Sequence, residues 1–146
     1  MAEQIKFAGE QGSLVVEIYG YERAEVEDQD DANWLRSELT IKAGPFSGAF
    51  KSAFTTYDLV GLHDRLRNGL AALSGTLSFQ NTEHDVAFDI EFGKGGGATI
   101  SGTVHPHRSP EVSLKFNFDT DQSYLTQTLC QLEAVLRRFP VKQAQG

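Results

Sequence analysis

The residues of this sequence able to do chemistry are a close-spaced histidine pair, a single cysteine, a glycine run holding one lysine, and a dense block of carboxylates. On a strand, His105 and His107 would point their rings the same way, as two ligands of one metal ion must. Pro106 and Pro110 instead make His105-Pro-His107-Arg-Ser-Pro110 a surface turn, and further ligands would have to come from remote positions such as His63 or His84. Gly93-Lys94-Gly95-Gly96-Gly97 has the composition of a phosphate loop. Such a loop needs the lysine and a hydroxyl residue to open a helix whose amides face the anion, and here alternating strands flank both sides. Cys130 lies within a helical period, away from any positive helix end, and reads as a small hydrophobe rather than a nucleophile. No serine stands in a G-x-S-x-G elbow, and Asp89 and Glu91 project from the outer face of one strand. The expectation is a protein that is not an enzyme, with no catalytic residues, no cofactor and no metal.

The carboxylate block is Glu22-Arg-Ala-Glu25-Val-Glu27-Asp28-Gln-Asp30-Asp31. It lacks the alternating oxygen ligands, central glycine and closing glutamate of a calcium loop, so it reads as a solvated acidic loop. Trp34 follows it directly and opens a strand, at a boundary between core and surface. Tryptophan is enriched among residues that dominate binding energy, which makes Glu25, Glu27, Asp28, Asp30, Asp31 and Trp34 the candidate contact surface. Thirteen Lys+Arg against twenty Asp+Glu leave a net charge of −7. That balance disfavours direct nucleic-acid binding, which rests on a basic surface, and suits a basic protein partner. With one cysteine there is no internal disulfide. The N-terminus has no signal-peptide pattern and no window approaches the roughly 18 apolar residues of a membrane span, so the expectation is a cytoplasmic protein.

These residues must be positioned by a single domain of 146 residues, with a core over about residues 5–140 and a frayed tail at 141–146. Ile5 and Phe7 mark a short strand ended by Gly9 and Gly12, and Leu14, Val16 and Ile18 alternate along the next. Val15 and Tyr19 make that second strand apolar on both sides, as for a strand covered on both faces or lying where the sheet curves. Leu35–Ala43 and Phe46–Phe54 alternate around Gly44-Pro45 and predict a hairpin. Thr55-Thr56-Tyr-Asp58 supplies a cap for a helix with Leu59, Leu62, Leu66, Leu70 and Leu73 on one face, ended by Ser74-Gly75. Thr76–Gln80, with Leu77 and Phe79 inward, Val86–Phe92 and Ala98–Val104 are further strands. Val112, Leu114, Phe116 and Phe118 form a last one, and Tyr124, Leu125, Leu129, Leu132, Leu136 and Phe139 then recur at helical spacing up to Pro140. Both halves run meander, then helix. The predicted class is α+β: a curved antiparallel sheet of about seven or eight strands with two long helices packed on one face.

Three stretches carry a family resemblance: Asp31-Ala-Asn-Trp34-Leu35, Gly44-Pro-Phe46-Ser-Gly48, and Asp121-Gln-Ser-Tyr124-Leu125 with Gln131-Leu132-Glu133 and Phe139-Pro140. In this order they resemble the small bacterial proteins of the WapI family, over roughly residues 10 to 141. That family takes its name from an immunity protein that protects a bacterium from the tRNA-cleaving tip of a contact-dependent toxin. The resemblance implies a protein that binds and neutralises a cognate, nuclease-like toxin domain and catalyses nothing. Two other readings remain: a domain whose uncovered sheet face binds a small molecule or a second copy of itself, and a low-turnover hydrolase.

Overall fold

The computed structural model describes residues 3–22 and 32–142. Its first half is a meander of β1 (Glu3–Ala8), β2 (Gly12–Tyr21), β3 (Trp34–Ala43) and β4 (Phe46–Thr55), followed by helix α1 (Thr56–Ala72). The second half repeats that order with β5 (Thr76–Gln80), β6 (Val86–Phe92), β7 (Gly97–Val104), β8 (Leu114–Asp121) and helix α2 (Gln122–Arg138). The expected α+β class with eight antiparallel strands and two helices holds. The strands divide into two four-stranded sheets, β1-β2-β3-β4 and β5-β6-β7-β8, where a single curved sheet was expected. The division falls where α1 separates β4 from β5, because a helix between two strands frees them from pairing with each other. The two inner faces meet in the core, where Phe7 packs edge-on to Phe88 at 5.1 Å and Phe54 stacks on Phe79 at 6.3 Å.

The hairpin between β3 and β4 has the predicted register, Ala43 opposite Phe46, and Gly44 takes a φ of +58° at the first central position of a two-residue turn. Thr55 caps α1 in a capping box. Its hydroxyl accepts from Asp58 N at 3.0 Å while Asp58 accepts from Thr55 N at 3.0 Å. The Asp58 carboxylate also receives Thr82 N at 3.1 Å and the Thr82 hydroxyl at 2.8 Å, which ties the helix start to the β5–β6 turn. Leu73, expected on the apolar face of α1, instead forms its left-handed C-cap with φ +50° and is exposed. In α2, Asp121 is the N-cap, accepting from Tyr124 N at 3.0 Å. The buried stripe of this helix is Leu125, Thr128, Leu132 and Val135, while Tyr124 is exposed. Helix α2 lies along the edge of β1, so the stripe includes a polar residue. The Thr128 hydroxyl donates to Lys6 O at 2.6 Å and Gln131 Oε1 accepts from Lys6 N at 2.7 Å, which satisfies edge groups that would otherwise be open. The helices are linked by His63, 3.2 Å from Glu133.

Val112, expected at the start of the last strand, is exposed in the turn before β8. The two-sided character of β2 has a local cause. Leu14, Val16 and Ile18 are buried, Val15 is half-buried, and a register shift between Ile18 and Gly20 leaves Tyr19 unpaired and turned outward as a bulge. The β1–β2 turn packs on β8, where the Thr120 hydroxyl donates to Ala8 O at 2.6 Å. A Cβ on Gly9 would sit 1.8 Å from the Asp119 carbonyl oxygen. Both sides of that contact are backbone, so Gly9→Ala is expected to destabilise by about 1–3 kcal/mol in urea unfolding. A variant as stable as the native chain would show that this turn moves freely.

Candidate interaction surface at the root of the acidic loop

Of the predicted contact residues, Glu25, Glu27, Asp28, Asp30 and Asp31 lie outside the described residues. Trp34 opens β3 opposite Thr55 and is half-buried, a position between core and surface. On either side of the acidic segment, β2 ends at Tyr21 and the residues before β3 are Ala32 and Asn33, both fully buried. Glu22 N donates to Trp34 O at 2.8 Å, so the two strands stay paired up to the loop's base.

That base is clamped by the C-terminal segment. The Asn33 side chain accepts from Lys142 N at 2.7 Å and donates to Lys142 O at 3.0 Å, pairing with the segment as a strand would. Asn33 O accepts from Thr56 N at 2.9 Å, which joins the same residue to the start of α1. On the other side of the root, the Tyr21 hydroxyl donates to the Pro140 carbonyl, its ring meets Phe139 edge-on at 5.6 Å, and Lys142 Nζ lies 4.4 Å above it. Burial pushes the Tyr21 phenol pKa upward from its ordinary value. The chain is thus held down as far as Lys142. The sequence reading did not single out Asn33 or Tyr21 as residues that hold this root. Asn33 stands inside one of the family-like stretches, but its partner is 109 residues away.

Beside this root is an open cleft of about 550 Å³ between the two sheets. Tyr19, Glu22, Arg36, Glu38 and Lys51 line it from the first sheet, and Glu83, Asp85, His107 and Arg108 from the turns of the second. Asp85 is buried, and one carboxylate oxygen has no hydrogen-bond partner. Burial raises its pKa above the ordinary 3.8, against the Ala53 amide; the Glu83 charge adds to the rise, while His107 and Asn81 oppose it. A carboxyl whose pKa is raised by folding carries a penalty only when ionised. The penalty is absent below the unfolded value and grows as pH rises through the folded one. The stability of Asp85→Asn relative to the native chain is therefore expected to increase from about pH 3 to about pH 7 in urea unfolding. A difference that does not change with pH would remove this assignment.

The outer face of the second sheet is the other acidic surface. Asp89, Glu91 and Asp119 are exposed there, with Ser78 donating to Asp89 at 2.6 Å and Thr99 to Asp119 at 3.1 Å. The remaining candidates are scattered. His105 and His107 sit in the β7–β8 turn, where His107 Nδ1 is 3.8 Å from Glu83. Gly93–Gly97 joins β6 to β7 through one 3₁₀ turn, and Cys130, read from the sequence as a small hydrophobe, is exposed on α2. Among the described residues no group of three or more His, Cys, Asp or Glu side chains is placed to hold a metal, and no helix is long and apolar enough to cross a membrane.

Solved structures share this architecture at low identity. The plant transcriptional regulator PBF-2 superposes with a TM-score of 0.53 at 9% identity, covering 95% of this chain and 81% of that one. WHY1 from Arabidopsis thaliana gives 0.52 at 11% identity over 95% and 84% of the two chains. The Trypanosoma bruciei MRP1/MRP2 structure gives 0.50 at 10% identity over 94% and 84%. At these identities the likeness is one of fold alone. No curated protein matches the sequence. The model of the immunity protein WapI-like family matches residues 4–140, and with nearly its whole length matched this chain belongs to the WapI-like immunity protein family.

Proposed function

We propose that this protein is a non-enzymatic cytoplasmic inhibitor that binds a basic, nuclease-like toxin domain and neutralises it. Its contact surface is the acidic segment Glu25, Glu27, Asp28, Asp30 and Asp31 with Trp34 at its foot. Membership of an immunity family over residues 4–140 supports the class of partner. The observation that carries the choice of surface is the combination of five carboxylates within seven residues and a loop base clamped from two sides by Asn33–Lys142 and Tyr21–Pro140. A clamped base is already ordered, so binding pays no ordering cost for the residues that form it. A carboxylate surface on a chain of net charge −7 attracts a basic domain over several ångströms and speeds encounter. The same balance opposes direct binding of nucleic acid by this chain.

The test is capture of a basic toxin domain in low-salt pull-downs, followed by stopped-flow association with that domain at two salt concentrations. Asp28→Asn, Asp30→Asn and Asp31→Asn together are expected to slow association about tenfold at low salt and to flatten its salt dependence. A triple variant that associates as fast as the native chain would sink the acidic-surface assignment. Absence of any toxin-like partner in low-salt pull-downs would sink the immunity reading itself.

A further inference from the structure

The free edge of β4 divides at Lys51. Above it, Ala53 O accepts from Asn81 Nδ2 at 3.1 Å, so the β5–β6 turn closes the edge. Below it, Phe46, Ser47, Gly48 and Ala49 are exposed and Phe50 is half-buried. Phe46 is 66% exposed, the highest value of any large apolar side chain among the described residues, although it shares the inner face of the sheet with buried Phe54. A side chain on Gly48 would meet nothing within 4 Å. An edge strand that is apolar and open in this way is a template for another strand.

We propose that this edge pairs with the same edge of a second copy, antiparallel, about a two-fold axis through Gly48. The phase of the backbone supports that occupant. Ala43 and Phe46 close a two-residue hairpin and therefore exchange hydrogen bonds, so Gly48 opposite Ile41 and Phe50 opposite Leu39 do the same. Ser47, Ala49 and Lys51 then direct their N–H and C=O groups away from β3, as the outward carbonyl of Ala53, which accepts from Asn81, shows one step further on. A two-fold axis at Gly48 sets Ser47 opposite the partner's Ala49 and Ala49 opposite the partner's Ser47. Both pairs carry the outward-directed groups, and each closes two hydrogen bonds.

The side chains follow the same symmetry, because Phe46-Ser-Gly48-Ala-Phe50 reads alike from either end in size and polarity. Phe46 falls opposite the partner's Phe50 on the inner face, an aromatic cross-strand pair that forms twice. Gly48 meets the partner's Gly48 on the axis, where two side chains would otherwise oppose each other. Lys51 falls opposite the partner's Pro45, so no like charges are juxtaposed and the residue that lacks an N–H comes where the pairing ends. The length also matches. The partner's strand turns away at Gly44-Pro45, which is where the Asn81–Asp85 turn begins to block the edge. The two first sheets would join into one of eight strands.

Sedimentation equilibrium of the full chain tests this. The native protein is expected to rise with concentration from 16.1 kDa to twice that mass. Ala49→Pro removes an outward N–H that β3 does not use, and is expected to stay monomeric at concentrations at least tenfold above the native midpoint. Gly48→Lys and Gly48→Asp each place like charges on the axis and are expected to be monomeric alone and to dimerise when mixed. Circular dichroism melts confirm that each variant folds. In a Cys130→Ser background, Gly48→Cys is expected to form an intermolecular disulfide under mild oxidation. A native chain that remains at 16.1 kDa at the highest attainable concentration, including one whose edge takes only a foreign strand, overturns the proposal. So does a native dimer that Ala49→Pro leaves intact, or a Lys/Asp mixture that fails to pair.

Discussion

Asn81→Ala is expected to cost roughly 4 kcal/mol and to lower the melting temperature by about 8–16 °C. Asn81 is 1% exposed and its side chain does three things at once. Its Oδ1 accepts from Asp85 N at 2.9 Å and from Val86 N at 3.2 Å, and its Nδ2 donates to Ala53 O at 3.1 Å. The first two bonds hold the β5–β6 turn, in which His84 takes a φ of +63°. The third joins that turn to the edge of the other sheet. Alanine would leave buried backbone groups unpaired, each worth about 1–3 kcal/mol. A domain of this size has a total stability of only about 5–15 kcal/mol, so the loss is a large share of it. Thermal and urea unfolding decide the matter. A cost below about 1 kcal/mol would mean that water replaces the side chain and that the sheets do not depend on this junction.

Phe88→Ala is expected to cost about 3–5 kcal/mol, as for a fully packed core aromatic. The ring is 4% exposed and lies 5.1 Å from Phe7 and 5.3 Å from Phe79, so it touches both sheets. Its cross-strand neighbour is Gly102, whose Cβ would fall 2.7 Å from the Phe88 Cβ and 2.3 Å from the Ala87 carbonyl oxygen. Gly102 thus brings no side chain that could swing into the space left by the ring. The cavity stays open, and the cost of an unfilled cavity adds to the lost transfer energy. Urea unfolding is again the readout, with Phe88→Leu as the comparison that removes less of the side chain. If the alanine variant loses no more than the leucine variant, the core collapses around the site and the packing described here is not what joins the sheets.

Several features of the site and fold were legible in the residues because they are local. Thr55 and Asp58 announce a capping box three residues apart, and the structure forms it with both hydrogen bonds. The alternation of Val86, Phe88, Ile90 and Phe92 follows from the opposite projection of successive side chains, and all four are buried. Gly44-Pro45 announced the hairpin that carries Phe46 and Gly48. The family-like stretches were legible for the same reason, since caps, turns and core positions recur at short spacing. The helix faces were less so. Thr128 is buried because it reaches Lys6 O, 122 residues away, and a hydropathy pattern ranks it as polar.

The sequence by itself determined the kinds of element, their order and the family. Those depend on backbone stereochemistry and on side-chain period, which act within about one turn or one strand. Only the tertiary structure decided that the strands form two sheets, that Asn81 closes the upper edge of β4 and leaves the lower edge open, and that Asn33 clamps the loop base through Lys142. These outcomes turn on which buried polar groups find partners across 28 and 109 residues. Hydrogen-bond satisfaction at that range is a property of the packed chain. A sequence motif can supply the donor and the acceptor, but only the fold brings them to 3 Å.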